Sequence, residues 1–116
     1  MRARLTETVC HAPHLIDAEV GAVLRRQVTT GAVGSDTALA ALADLTGIVD
    51  ARYSHGPLSA LAWSLRDNVT FYDALYVALA ATLRVPLLTA NARLAAAPGL
   101  PCAVEVLNSP SAPASG

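Results

Sequence analysis

The chain has 116 residues, of which 53 % are hydrophobic, and its net charge at pH 7 is −1. This length suits one domain with a single core, and so low a charge gives no general attraction to nucleic acid. No apolar run reaches the ~18 residues that cross a bilayer, so no membrane association is expected. Cys10 and Cys102 fit no metal-binding spacing, which predicts no disulfide framework and a reduced, cytoplasmic setting.

The first half of the chain predicts two strands and two helices. Residues 1–6 have the pattern of a helix tail, and residues 9–12 are a strand candidate that Pro13 ends. Residues 15–28 predict an amphipathic helix, and residues 48–53 alternate as in a strand near a sheet edge. Ser35 is placed to cap a second helix that Gly47 stops. The apolar positions expected to face inward are Ile16, Val20, Val23, Leu24, Val28, Leu39, Leu42, Ala43 and Leu45.

The second half continues the alternation of helices and strands. Residues 58–66 predict a helix with Trp63 on its buried side. From residue 74 to 81 the only polar side-chain atom is the Tyr76 hydroxyl, which is typical of a buried helix. Residues 84–90 and 102–107 predict strands, with a short helix over residues 91–97 between them.

Strands that alternate with helices favour an α/β fold with a mainly parallel sheet. We expect residues 1–107 to form one domain and the polar, Pro-rich residues 108–116 to be disordered. In such folds ligands gather beyond the carboxyl ends of the strands. The helix starts after Pro13 and Thr89 are therefore the places to look for a site.

Three acids are candidates for chemistry. Thr70 is a suitable N-cap and puts Asp73 at the third helical position, where it is either a capping acid or a carboxylate that holds a cation. Asp17 and Glu19 lie on opposite borders of one apolar stripe, and periodicity does not choose between them. If the fold brought such acids together, Mg²⁺ or Mn²⁺ would relieve their repulsion and could activate a water for phosphodiester cleavage.

Three segments resemble bacterial PIN-domain proteins of the VapC type. They read A-P-H-L-I-D-A-E-V-G-A-V-L-R-R, N-V-T-F-Y-D-A-L-Y-V-A-L-A and P-L-L-T-A-N-A-R-L, in this order along the chain. The resemblance implies a three-layer α/β/α sandwich and a Mg²⁺- or Mn²⁺-dependent endoribonuclease of a type II toxin–antitoxin system. It also implies a homodimer that a VapB-type antitoxin silences.

The resemblance assigns the site residues one by one. The family's glutamate falls on Glu19 and its helix aspartate on Asp73, whereas its last aspartate falls on Asn91, so here an amide replaces an acid. Thr89 matches a residue that supports this pocket. All three, Glu19, Asp73 and Asn91, are thereby expected to bind the metal and to act in catalysis.

The chain departs from the family at its front, where the central strand of the sheet and its aspartate have no counterpart. Either the start of the chain is set too late, or the chain is a true truncation. The runner-up function is accordingly a non-catalytic remnant that only binds an antitoxin or associates with itself. Few aromatic residues, at 4 %, predict no readable surface for RNA recognition.

Overall fold

The computed structural model describes residues 9–107, and these divide into two compact units that meet between Ser54 and His55. The helix tail predicted for residues 1–6 and the disordered tail predicted for residues 108–116 lie outside the described residues. The elements of the first unit are β1 (His11–Pro13), α1 (Leu15–Thr29), α2 (Ser35–Ile48) and β2 (Ala51–Tyr53). Helices α1 and α2 pack against each other.

The second unit holds the long buried helix. Its elements are a 3₁₀ turn (Gly56–Leu58), α3 (Ser59–Ser64), α4 (Phe71–Leu83), β3 (Leu87–Thr89), α5 (Ala92–Ala96) and β4 (Val104–Val106). Helix α3 packs on α4, while α5 contacts both β3 and β4. Both cysteines are free, as the sequence predicts, and burial raises the pKa of the Cys102 thiol.

The described strands form two separate parallel pairs. Strand β1 pairs with β2, with His11 opposite Ala51, and β3 pairs with β4, with Leu87 opposite Val104. No described ladder joins the two pairs. The predicted α/β class with parallel strands is confirmed.

Several predicted boundaries shift by a few residues. Pro13 is the last residue of β1 instead of the residue after it, because an edge position tolerates the missing N–H. Helix α2 runs through Gly47 to Ile48, so the predicted stop at Gly47 is wrong. Gly34 takes the N-cap position, which makes Ser35 the first helical residue.

The buried core is concentrated in α4. Six of its thirteen residues are buried, and Val77 is fully buried. The buried residues are Ala74, Leu75, Val77, Ala78, Leu79 and Ala80. This confirms the prediction of a helix enclosed by other elements. Among the described helices none is long and apolar enough to cross a membrane.

Five apolar side chains predicted to face inward are exposed instead. They are Val23, Leu39, Leu42, Ala43 and Trp63. Helix α1 has no buried residue, and Ala38 is the buried residue of α2. A helical stripe marks the apolar side of a helix, but the neighbouring element covers only part of it.

An exposed ion pair links α1 to β2. The Arg52 Nε and Nη2 atoms donate to the two carboxylate oxygens of Asp17 at 2.7 and 2.8 Å. These bonds lower the pKa of Asp17 below its ordinary value of 3.8. Asp17, which periodicity left as an alternative to Glu19, thus has a structural partner within its own unit.

We expect this ion pair to make stability depend on pH in the acid range. A depressed pKa stabilises the folded state above the ordinary value of 3.8, and the contribution is lost as the pH falls below it. In Arg52→Gln the pKa of Asp17 should return toward 3.8, as NMR titration of its carboxyl group would show. An unchanged pKa in Arg52→Gln would contradict the assignment to Arg52.

Candidate functional site

Asp73 is positioned by the cap of the buried helix α4. The Thr70 hydroxyl oxygen accepts a hydrogen bond from the Asp73 backbone N–H at 3.2 Å, and Thr70 has the extended backbone of an N-cap. This confirms the capping arrangement predicted from the sequence. The capped first turn holds a half-buried carboxylate at the positive end of a helix whose next turns are enclosed by the core.

Asn91 is positioned by the turn that follows β3. The Thr89 hydroxyl oxygen accepts a hydrogen bond from the Asn91 backbone N–H at 3.0 Å. The Asn91 Oδ1 atom accepts one from the Arg93 backbone N–H at 3.0 Å, which makes Asn91 the N-cap of α5. Thr89 therefore shapes the turn that presents Asn91, and the amide oxygen of Asn91 has one structural bond already.

Asp73 and Asn91 line the same open cavity of about 540 Å³ in the second unit. The predicted pair of site residues is thus brought together by the fold. The polar residues of the wall are Arg66, Asp67, Asn68, Thr70, Asp73, Asn91 and Arg93. Glu19 lies on α1 in the first unit, half-buried, and its part in a shared site stays a prediction.

Charges of both signs meet in this cavity. Asp67 and Asp73 contribute carboxylates, whereas Arg66 and Arg93 contribute guanidinium groups. Sequence reasoning missed Asp67, Arg66 and Arg93. The only sequence signal that could have found them is their position. Arg66 and Asp67 come shortly before the N-cap Thr70, and Arg93 comes shortly after the N-cap Asn91, so they lie near the starts of α4 and α5.

Asn68, a residue of the cavity wall, holds the turn at Pro98 and Gly99. The Asn68 Nδ2 atom donates to the Pro98 carbonyl oxygen at 2.9 Å. The next residue, Gly99, has a positive φ of 71°, and a Cβ there would lie 3.0 Å from Asn68 Nδ2. Glycine at 99 therefore permits both the left-handed backbone and the close approach of Asn68.

The oxygen atoms of the wall suit a hard cation. Asp67 and Asp73 offer carboxylate oxygens and Asn91 an amide carbonyl oxygen, which are the ligand types that Mg²⁺ takes in proteins. Among residues 9–107 no group of three or more His, Cys, Asp or Glu side chains is arranged to hold a metal ion. A cation at this cavity would accordingly rely on amide and water ligands beside its carboxylates.

Comparison with known proteins adds close relatives to this geometry. No protein-family model matches the chain. Ribonuclease VapC1 of Mycobacterium tuberculosis is 55 % identical over 108 residues, which are 92 % of this chain and 81 % of that protein. Ribonuclease VapC3 of the same organism is 44 % identical over 97 residues, covering 84 % of this chain and 71 % of that protein.

A third relative lies in another species. VapC ribonuclease Mb0985 of Mycobacterium bovis is 35 % identical over 97 residues, which are 84 % of this chain and 76 % of that protein. The three matches cover 84–92 % of this chain, and all three relatives are named as VapC ribonucleases. They confirm the resemblance found in the three sequence segments. The chain belongs to the VapC family of PIN-domain ribonucleases.

Proposed function

We propose that this chain is the toxin of a type II toxin–antitoxin pair and acts as an endoribonuclease that hydrolyses RNA phosphodiester bonds. The observation that carries the proposal is the cavity shared by Asp73 and Asn91 in a chain 55 % identical to Ribonuclease VapC1. The proposed partners are RNA as substrate, a VapB-type antitoxin as silencer and a second copy of the chain in a homodimer. The proposed location is the cytoplasm.

The proposed cofactor is Mg²⁺, with Mn²⁺ as a substitute, held by Asp73 and Asn91 together with Glu19. The donor set supports this choice because all three side chains offer oxygen atoms. When bound, the cation supplies positive charge at the phosphate and lowers the pKa of a nearby water.

Asp73 and Asn91 have separate roles in the proposed reaction. The Asp73 carboxylate orients the attacking water through a hydrogen bond and favours its deprotonation. Its position is fixed because Thr70 caps the turn and α4 is buried beyond it. The Asn91 amide oxygen, which already accepts from the Arg93 N–H, keeps a second lone pair for binding.

The second candidate is a non-catalytic module that binds an antitoxin or itself. The amide of Asn91 favours it, because an amide carries no charge and two carboxylates make a weaker Mg²⁺ site than three. The test is to incubate purified protein with single-stranded RNA in millimolar Mg²⁺ and in EDTA. Cleavage that requires Mg²⁺ supports the nuclease, whereas intact RNA together with co-purification of a VapB-type antitoxin supports the binding module.

Asn91→Asp should strengthen the proposed metal site. We expect tighter Mg²⁺ binding and faster RNA cleavage, each on the order of tenfold, because the ligand gains a negative charge. Aspartate also serves as an N-cap, so α5 should keep its start at Ala92. The control is Asn91→Ser, which retains a capping oxygen but is too short to bind the cation.

The measurement is the cleavage rate as a function of Mg²⁺ concentration for the three proteins. Asn91→Asp should reach half-maximal rate at lower Mg²⁺ than wild type, and Asn91→Ser at higher Mg²⁺. Equal Mg²⁺ dependence in all three proteins would contradict a role of Asn91 in binding the cation.

A further inference from the structure

The only tryptophan of the chain is exposed beside the cavity. Trp63 lies near the end of α3, and 61 % of its surface is open to solvent. The chain has five aromatic residues, one Phe, one Trp and three Tyr. Three of them, Trp63, Phe71 and Tyr72, are exposed, and all three fall within ten residues that lead into the turn of Asp73. An exposed indole presents a flat apolar face together with a polar N–H to a binding partner.

An arginine connects this indole to the cavity. The guanidinium carbon of Arg66 lies 4.9 Å from the centroid of the Trp63 ring, in a cation–π contact. Its Nη1 atom also donates to the Trp63 carbonyl oxygen at 3.1 Å, which restrains the side chain. Because Arg66 lines the cavity of Asp73, the ring and the cavity are adjacent surfaces joined by one side chain.

The residues that follow the indole in the sequence are mostly polar. Ser64, Arg66, Asp67 and Asn68 are all exposed, and two of them are charged. The core of a protein–protein interface is depleted of charged residues. A single flat ring beside a fixed cation instead matches the way single-stranded nucleic acids are held, with bases stacked on aromatic faces and phosphates neutralised by arginine.

We propose that Trp63 and Arg66 bind the nucleotide next to the cleaved phosphate of a single-stranded RNA. The base stacks on the open surface of the Trp63 ring, and the guanidinium of Arg66 pairs with the adjoining phosphate. This rests on the proposed ribonuclease function and adds to it a subsite outside the cavity. Any base can stack there. Trp63 and Arg66 therefore contribute to affinity and to the preference for single strands more than to sequence specificity.

The tryptophan supplies its own probe. Its fluorescence reports on Trp63 alone, because the chain has no other tryptophan. Titration with a single-stranded oligoribonucleotide in EDTA, where cleavage is suppressed, should quench this emission in a saturable way. The same sequence annealed into a duplex should quench it much less, since its bases are already stacked. Saturable RNA binding seen by anisotropy without quenching would overturn the proposal.

Variants separate stacking from charge. Trp63→Ala should weaken binding of a labelled single strand about tenfold, whereas Trp63→Phe should stay within roughly threefold of wild type. Arg66→Ala should weaken binding and lower the slope of log affinity against log salt by roughly 0.7. The control is Arg26→Ala, an exposed arginine on α1, which should bind like wild type. Since Trp63 and Arg66 are exposed, circular dichroism should show folded variants.

Failure of this inference differs from failure of the proposed function. If Asp73-dependent cleavage proceeds and Trp63→Ala binds RNA as wild type does, the subsite is wrong and the nuclease stands. If RNA is never cut but quenches Trp63 in EDTA, the nuclease is wrong, while Trp63 and Arg66 still form a binding site for single-stranded RNA. If Trp63→Ala loses only the binding of a VapB-type antitoxin, the ring serves a protein partner and the RNA proposal is overturned.

Discussion

Asp73→Asn should reduce the rate of Mg²⁺-dependent RNA cleavage by about 100-fold or more. The amide keeps the size of the carboxylate but cannot orient and help deprotonate a water, and it removes a negative charge from the proposed metal site. The fold should survive, because Thr70 caps the backbone N–H of residue 73 and not its side chain. The measurement is single-turnover cleavage of a single-stranded RNA at saturating Mg²⁺.

A matched variant isolates the chemistry from the helix dipole. Asp36 is an exposed acid in the first turn of α2, as Asp73 is an acid in the first turn of α4. Asp36→Asn therefore removes the same favourable interaction with a helix N-terminus, about 0.3–1 kcal/mol, without touching the cavity. It should cleave RNA as wild type does. Cleavage by Asp73→Asn within threefold of wild type would contradict a catalytic role for the carboxylate.

Leu75→Ala should lower the free energy of unfolding by about 3 kcal/mol. Leu75 is only 2 % exposed and lies in the buried stretch of α4, two residues after Asp73. Removing its isobutyl group loses apolar burial and leaves a cavity that the packed neighbours cannot close. Such a loss is a large part of the total stability of a domain of this size. Urea unfolding followed by circular dichroism measures the effect.

The comparison variant for this prediction is Leu88→Ala. Leu88 is 54 % exposed on β3, so the same truncation should cost at most about 0.5 kcal/mol. Leu75→Ala should also retain Mg²⁺-dependent cleavage at low temperature, where enough protein stays folded, because the cap of Thr70 and the cavity wall are unchanged. A loss of stability below about 1 kcal/mol for Leu75→Ala would mean that α4 is not packed as described.

Local sequence signals predicted the elements better than the packing. The apolar run of α4 and the N-cap at Thr70 were sufficient to place that helix and its buried character. The stripe of α2 was misleading, because Leu39 and Leu42 are exposed while the smaller Ala38 is covered. Periodicity gives the direction of an apolar face, but only the neighbouring elements decide how much of that face is buried.

The cavity of Asp73 and Asn91 lies where the end of a strand and the starts of helices coincide. The rule that ligands gather after parallel strands pointed to the turn after Thr89, and Asn91 does share a cavity with Asp73. Arg66 and Asp67 could not be found this way, since they lie in a turn without periodicity. Trp63 was assigned to the core because large aromatic residues usually are, and its exposure became visible only in three dimensions.

Direct detection of the proposed cation would be the sharpest test of a metal site at the cavity of Asp73 and Asn91. Mn²⁺ is paramagnetic and broadens the NMR signals of nearby backbone amides, so ¹⁵N-labelled protein can report where it binds. We predict that substoichiometric Mn²⁺ broadens the amides of Asp73 and Asn91 first, that excess Mg²⁺ reverses this broadening, and that Asp73→Asn abolishes it. Broadening centred elsewhere, or unchanged in Asp73→Asn, would contradict a metal-dependent site at this cavity.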